Sequence, residues 1–512
     1  MPRGLALRFA RNAAYIVFGR IWSILLWVAL TPFILHQLGP ERFGVWSLLF
    51  LLSSYFLTFD LGLGPSVVKF TAQYAMAGEL DRLRDTLAGI TRLYLFLGAL
   101  WVAAIVAIHP LLLAWLKITP PYREEVRFAI LVSAVVFAFA NLVSVGMGIL
   151  NGLQRMGTQN AVLVGASLPQ IVILVAGLKA GYGLYAVVAS TAVYWAVAAL
   201  AILYALGKMA PSLSWPSVHL PKGGSPWLRF SSTIQASNVI AMAQQQVDKI
   251  LLVIWAGVRA VTHFELGFRV ANAVQSLPTL ALIPLLPTFA ELEVSGDRDR
   301  FRRLSRRGTG LLAAFAFALA SGAIPAAPLL IRAWVGPGYG TAAGLAQWLL
   351  AGLALNLCTG VATSAGRAAG RPGLEILPGL IALTVHVVAS AILIGRYGPL
   401  GVGPAFFAAM VVWAVLFLLR FSAAFEIPPG RMLAAAFAVP GLAVGPAIAC
   451  GAFVVARWPE AWVTSRVAAL AGAAAGGTAG AAVFALLSWI LRRIPPLRGL
   501  AATEPARGPI PS

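Results

Sequence analysis

Phe33–Leu49 reads FILHQLGPERFGVWSLL, and Leu251–Val270 reads LLVIWAGVRAVTHFELGFRV. Each holds the end of an apolar run, a glycine, a five-residue step and a second apolar run opened by an aromatic. Gly39 aligns with Gly257, Gly44 with Thr262 and Trp46 with Phe264, all at an offset of 218. The runs leading into them begin near Asn12 and Phe230, at the same offset. Two units of equal orientation are what an even number of membrane spans per unit requires. Parallel repeats of this kind build transporters whose halves rock about a central cavity.

The rest of the chain agrees with a membrane reading. Of 512 residues, 60% are hydrophobic and 11% charged, against roughly 25% charged in a soluble domain. Apolar runs continue from end to end, and 50 glycines and 32 prolines suit membrane helices, which tolerate both. Division at about 20 apolar residues per span predicts about fourteen transmembrane helices, from 12–36 to 464–491. The expected fold is an all-α polytopic membrane protein. It comprises an N-terminal six-helix bundle over 1–208, a cytoplasmic linker over 209–228 and a second six-helix bundle over 229–424. An additional helix pair over 425–491 and a disordered cytoplasmic tail over 492–512 complete it.

The net charge of +21 would suit a nucleic-acid partner if it formed a patch interleaved with aromatics. Instead it lies in short segments between apolar runs, so no nucleic-acid partner is expected. With the N-terminus in the cytoplasm, 25 of the 38 Lys/Arg flank the inner ends of spans, 10 flank the outer ends and 3 lie within spans. That asymmetry places both termini inside. No segment is long enough for a soluble domain, and the longest loops, near 69–87, 208–228 and 289–308, all fall on the inner side. Cys358 and Cys450 have no neighbours at metal-ligand spacing, and neither a metal nor a cofactor is expected.

Further residues sharpen the repeat. Arg11–Arg84 contains RNAAYIVFGRI, the turn LGPERFGVW, DLGLG closing the second span and the charged stretch GELDRLR. The second half has VDKILLVIWAG in span seven and LPTFAELEVSGDRDRFRRLSRR after a Pro-rich span eight. Together these resemble the polysaccharide transport family: O-antigen and capsule repeat-unit flippases of the multidrug/oligosaccharidyl-lipid/polysaccharide exporter superfamily. The resemblance implies two six-helix bundles in a V around a cationic cavity. It also implies a polyprenyl-pyrophosphate-linked glycan as cargo, membrane lipids as surroundings and a polysaccharide polymerase as a partner. By that resemblance Arg20 and Arg269 occupy helices that supply cavity arginines in the lipid II flippase.

The candidate site residues are those whose placement in hydrocarbon needs a reason. An ionised group at membrane depth costs several kcal/mol and usually faces a bundle interior or water. Arg20, Asp248, Lys249, Glu265 and Arg269 meet that description, although an arginine or lysine near a span end can also snorkel to the interface. Asp248 and Lys249 diverge by about 100° around one helix, so they cannot satisfy each other well. Glu265 and Arg269, four apart, can pair on one face, leaving Lys249 for Asp248 or a substrate phosphate. Gln244 and Gln245 precede the pair, and the stretch reads either as cavity lining or as an interhelical polar lock. Gln235, Asn238, Gln244 and Asn272 are expected to read sugar hydroxyls. Asp60 either binds a coupling proton or sodium ion or braces the turn after span two.

An enzyme is not expected. No H-E-x-x-H, D-x-D, phosphate-binding loop or dinucleotide fingerprint is present, and Glu41, Glu124, Glu125 and Glu460 read as scattered and unpaired. With no ATP-binding part in the sequence, the driving force is left to an ion gradient, the membrane potential or the lipid gradient. The expected function is export of undecaprenyl-pyrophosphate-linked oligosaccharide across the cytoplasmic (inner) membrane of a bacterium by alternating access. A lipid II flippase and a multidrug exporter of the same fold are the alternatives.

Overall fold

The computed structural model describes residues 3–58, 63–116, 118, 122–209, 247–282, 285–459 and 465–493, with side chains left out at 3–17, 20 and 50–58 among others. Every described element is helical. They fall into two compact units. One comprises Met1–Met242 with Gly257–Arg259, and the other Ala243–Ala256 with Ala260–Ser512.

The first unit contains α1 (Arg3–Thr58), α2 (Leu63–Ala77), α3 (Leu80–Leu116), α4 (Arg123–Gly152), α5 (Met156–Lys179) and α6 (Gly183–Met209). α1 is two helices joined at Gly39, whose φ of 74° and ψ of 168° interrupt the helical backbone. That conformation is essentially restricted to glycine, and Pro40 behind it restricts the preceding residue further. The short KAGYG step at Lys179–Gly183 is a true break, because Gly181 and Gly183 both have positive φ. The core of this unit joins Leu63 and Val67 of α2, Leu83, Leu87 and Ile90 of α3, Ile149 and Leu150 of α4, and Ile202 and Leu206 of α6. Phe96, Leu100, Leu200 and Tyr204 are exposed, as expected of side chains that face lipid rather than water.

The second unit begins with α7 (247–256). It continues through α8 (Val258–Thr279), α9 (Leu285–Ser295), α10 (Arg298–Val335), α11 (Gly340–Cys358), α12 (Gly360–Ala368), α13 (Ile376–Tyr397), α14 (Val402–Ala424), α15 (Pro429–Ala456) and α16 (Arg466–Leu491). α15 and α16 pack on α10 through small residues. A methyl group at Gly322 of α10 would lie 2.7 Å from the Gly477 carbonyl oxygen, and one at Gly451 of α15 would lie 2.8 Å from that of Gly476. Close backbone approach of this kind holds helices together where lipid removes the hydrophobic drive.

Ten helical runs among the described residues are long and apolar enough to cross a membrane, and the chain is an all-α multi-pass membrane protein. The count is below fourteen partly because the first two expected spans yield one run, Ile21–Leu49. Pro372–Ala424 is a single run containing both α13 and α14. α8 carries Arg259, Glu265 and Arg269, which lower its hydropathy. Most of the seventh expected span and the 210–246 stretch lie outside the described residues, as does the tail beyond Arg493.

The inner loops expected near 69–87 and 289–308 are largely helix. α3, at 37 residues, is about 56 Å long at 1.5 Å per residue, well beyond roughly 30 Å of hydrocarbon. Its first turns are amphipathic, with Leu83 and Leu87 buried and Arg82 paired with Glu79 at 2.8 Å on the outer face. α10 starts the same way. Asp297 caps it by accepting the Arg300 N–H at 3.0 Å, so the arginine-rich stretch that reads as a loop forms the opening turns of a long helix.

Candidate functional site

Asp248 and Lys249 of α7 and Glu265 and Arg269 of α8 lie together in the second unit. Asp248 and Lys249 are 1% and 6% exposed, and being adjacent on a helix they leave it in different directions. Lys249 Nζ lies 2.8 Å from Glu265 Oε2. Arg269 Nε donates to the other carboxylate oxygen, Glu265 Oε1, at 2.9 Å. The i,i+4 pairing expected within α8 is therefore present, but Lys249 turns to Glu265 rather than to Asp248. The reason is geometric: the Lys249 side chain faces α8, where a carboxylate already waits, and Asp248 faces away. Two cations thus share one carboxylate.

Asp248 instead meets His386 of α13, with Oδ1 and Nε2 2.6 Å apart and both side chains 1% exposed. Neither ring nitrogen satisfies hydrogen-bond geometry, so the contact is one of close approach rather than of an aligned N–H bond. The His386 ring also packs edge-on against Phe406 of α14 at 5.6 Å. Sequence reasoning missed His386. Its only signal was an ionisable ring inside the apolar run LTVHVVAS, with nothing nearby in the chain to name a partner.

Of the other candidates, Asn272 lies one turn beyond Arg269 on α8 and is exposed. Arg20 is on α1, but its side chain lies outside the described residues, as do Asp60, Gln235, Asn238, Gln244 and Gln245. In the first unit, Glu125 is not unpaired as expected. Its carboxylate sits 3.4 Å from Arg42 Nη1 and accepts the backbone N–H of Leu184, while the Arg42 guanidinium lies over the Tyr122 ring at 4.5 Å. The helix N-terminus of α6 has free N–H groups and a positive end, so this carboxylate serves as its cap. Among the described residues no group of His, Cys, Asp and Glu could hold a metal ion.

A family model described as "Polysaccharide biosynthesis protein" matches residues 9–293, which include α1 through α8 and the whole charged cluster apart from His386. The chain belongs to the polysaccharide biosynthesis protein family. A Shigella flexneri member of the curated proteins, named "Putative O-antigen transporter", is 21% identical over 414 residues, covering 80% of this chain and 95% of that one. Among solved structures, the inward closed conformation of the lipid II flippase MurJ superposes with a TM-score of 0.68 at 13% identity. It covers 94% of this chain and 99% of its own. An inward-facing multidrug resistance MATE family transporter of the MOP superfamily gives 0.61 at 15% identity, over 78% of this chain and 95% of that one. These two likenesses show the fold. The relative and the two solved structures are named as transporters or a flippase, and the chain is a multi-pass membrane protein of the polysaccharide biosynthesis protein family.

Proposed function

We propose that the protein exports a polyprenyl-pyrophosphate-linked oligosaccharide, of the O-antigen, capsule or exopolysaccharide repeat-unit class, across the bacterial cytoplasmic membrane with both termini in the cytoplasm. The observation that carries this reading is the pair of cations, Lys249 and Arg269, gathered on one carboxylate, Glu265, inside membrane helices. A carboxylate-rich pocket would suit a cationic drug; two cations brought together suit an anionic head group. Pyrophosphate can displace the shared carboxylate from one cation without leaving a charge unpaired, which makes loading and release a swap of partners rather than a desolvation. The relative named for O-antigen transport supports the glycan part of the reading.

A second reading has its own support: the lipid II flippase likeness extends over 94% of this chain, and its cargo by name is also a lipid-linked sugar. The two separate in cells. Under the primary reading the gene restores surface polysaccharide to a strain lacking its repeat-unit flippase and does not rescue cells depleted of their lipid II flippase. Rescue of the depleted cells without restored polysaccharide would transfer the assignment to peptidoglycan precursor.

A further inference from the structure

The first unit contains a cavity of about 270 Å³ between α1, α4, α5 and α6, near the lower bound of roughly 300 Å³ for small-molecule pockets. It reaches from near the start of α5, at Asn160, to the middle of the helices. Trp195 is 12 residues into α6 and Ser167 is 11 residues into α5, about 17–18 Å along each axis and so mid-depth in roughly 30 Å of hydrocarbon. No charged residue lines it among the described residues. Its walls combine aromatic rings with neutral hydrogen-bonding groups.

Trp22 Nε1 donates to Ser167 Oγ at 3.1 Å, which fixes the indole of α1 against α5. Tyr194 and Trp195 stand edge to face at 5.1 Å. Asn160 spends its Nδ2 on the Met156 carbonyl at 3.0 Å, leaving the carboxamide oxygen as an acceptor. The Gln170 amide, the Tyr194 hydroxyl and the Trp195 indole N–H make no hydrogen bond to any described residue, although all three side chains are only half-exposed. None of the three is among the sealed polar atoms, so each is open to hydrogen-bond with whatever occupies the cavity.

We infer that this cavity binds an uncharged sugar of the transported glycan, an inference that rests on the flippase reading above. A pyranose offers an apolar C–H face and a rim of hydroxyls that both donate and accept. The rings of Trp22 and Trp195 match the first, and Gln170, Tyr194 and Asn160 match the second. A phosphate finds no cation among the described walls. An acyl chain would fill the aromatic part but leave Gln170 and Tyr194 unmatched. The cavity volume holds a mono- or disaccharide, not an extended chain. Glycan selection is thereby assigned to α1, α5 and α6.

The test uses the full-length protein in proteoliposomes with two fluorescent probes, polyprenyl pyrophosphate carrying a neutral disaccharide and bare polyprenyl pyrophosphate. Gln170→Ala and Trp195→Ala should slow translocation of the disaccharide probe at least tenfold and leave the bare probe unchanged, with Trp195→Phe retaining most of the activity. Equal slowing of both probes would mark a packing role, and no slowing of either would remove the cavity from transport; each overturns the inference. A diazirine-bearing disaccharide lipid supplies the second measurement. Photolysis should attach it to peptides of α1, α5 and α6, and attachment elsewhere or nowhere overturns the assignment. Labelling of these helices in a protein that moves neither probe would keep the sugar site and sink the flippase reading instead.

Discussion

At the scale of the residue, the problem is how a membrane helix keeps Asp248 and Lys249 side by side. Removing one member of a buried ion pair strands the other and costs about 3–5 kcal/mol. The helix avoids this by sending each charge to a different neighbour, Lys249 to Glu265 and Asp248 to His386. His386→Ala should therefore lower the thermal midpoint of the detergent-solubilised protein, because Asp248 is left alone. The double variant Asp248→Ala/His386→Ala should be no less stable than the worse single variant, as expected for coupled sites. Additive losses in that thermal-shift cycle would deny the pairing. Lys249→Ala should behave differently from both: Arg269 still neutralises Glu265, so protein levels hold while glycan export falls. Immunoblots alongside surface-polysaccharide assays distinguish the two behaviours, and a loss of Lys249→Ala protein matching the loss of export would assign the lysine to folding.

At the scale of the element, the two glycines that open the repeat's turns share a positive φ. Gly39 and Gly257, aligned at an offset of 218 in sequence, have φ of 74° and 80°, and neither would bring a methyl group within 4 Å of another atom. Substitution there meets no clash, so any cost is conformational. Gly39→Ala and Gly257→Ala should each destabilise by about 1–3 kcal/mol, read as a lower unfolding midpoint, whereas Gly441→Ala, with no positive φ and open space around it, should cost nothing. Indistinguishable midpoints for the three variants would contradict the account of the two turns.

What sequence could reveal follows the same physics. Apolar run length, glycine turns and i,i+4 spacing are local, so the helices, both breaks and the Glu265–Arg269 pair were legible. The Asp248–His386 contact joins α7 to α13, and the aromatic cavity draws on α1, α4, α5 and α6. Neither leaves a pattern at short range. The arginine-rich opening of α10 was misread as a loop because its charges mask an amphipathic helix that continues past the membrane.

At the scale of the whole molecule, orientation and cargo are the testable claims. The Lys/Arg asymmetry predicts that reporter fusions at Ser295 and Thr503 report cytoplasm and one at Tyr339 the outer side; a periplasmic signal at Ser295 would invert the topology. For cargo, the proposed function makes the pyrophosphate the part of the substrate that Lys249 and Arg269 recognise. The most direct measurement is translocation by the purified protein in liposomes of two fluorescent lipids that share tail and glycan, one linked by pyrophosphate and the other by a neutral ether. The account predicts that the wild-type protein moves the pyrophosphate lipid at least tenfold faster, and that Lys249→Ala, which leaves Glu265 paired with Arg269, lowers the preference severalfold. Equal movement of both lipids by the wild-type protein would contradict it.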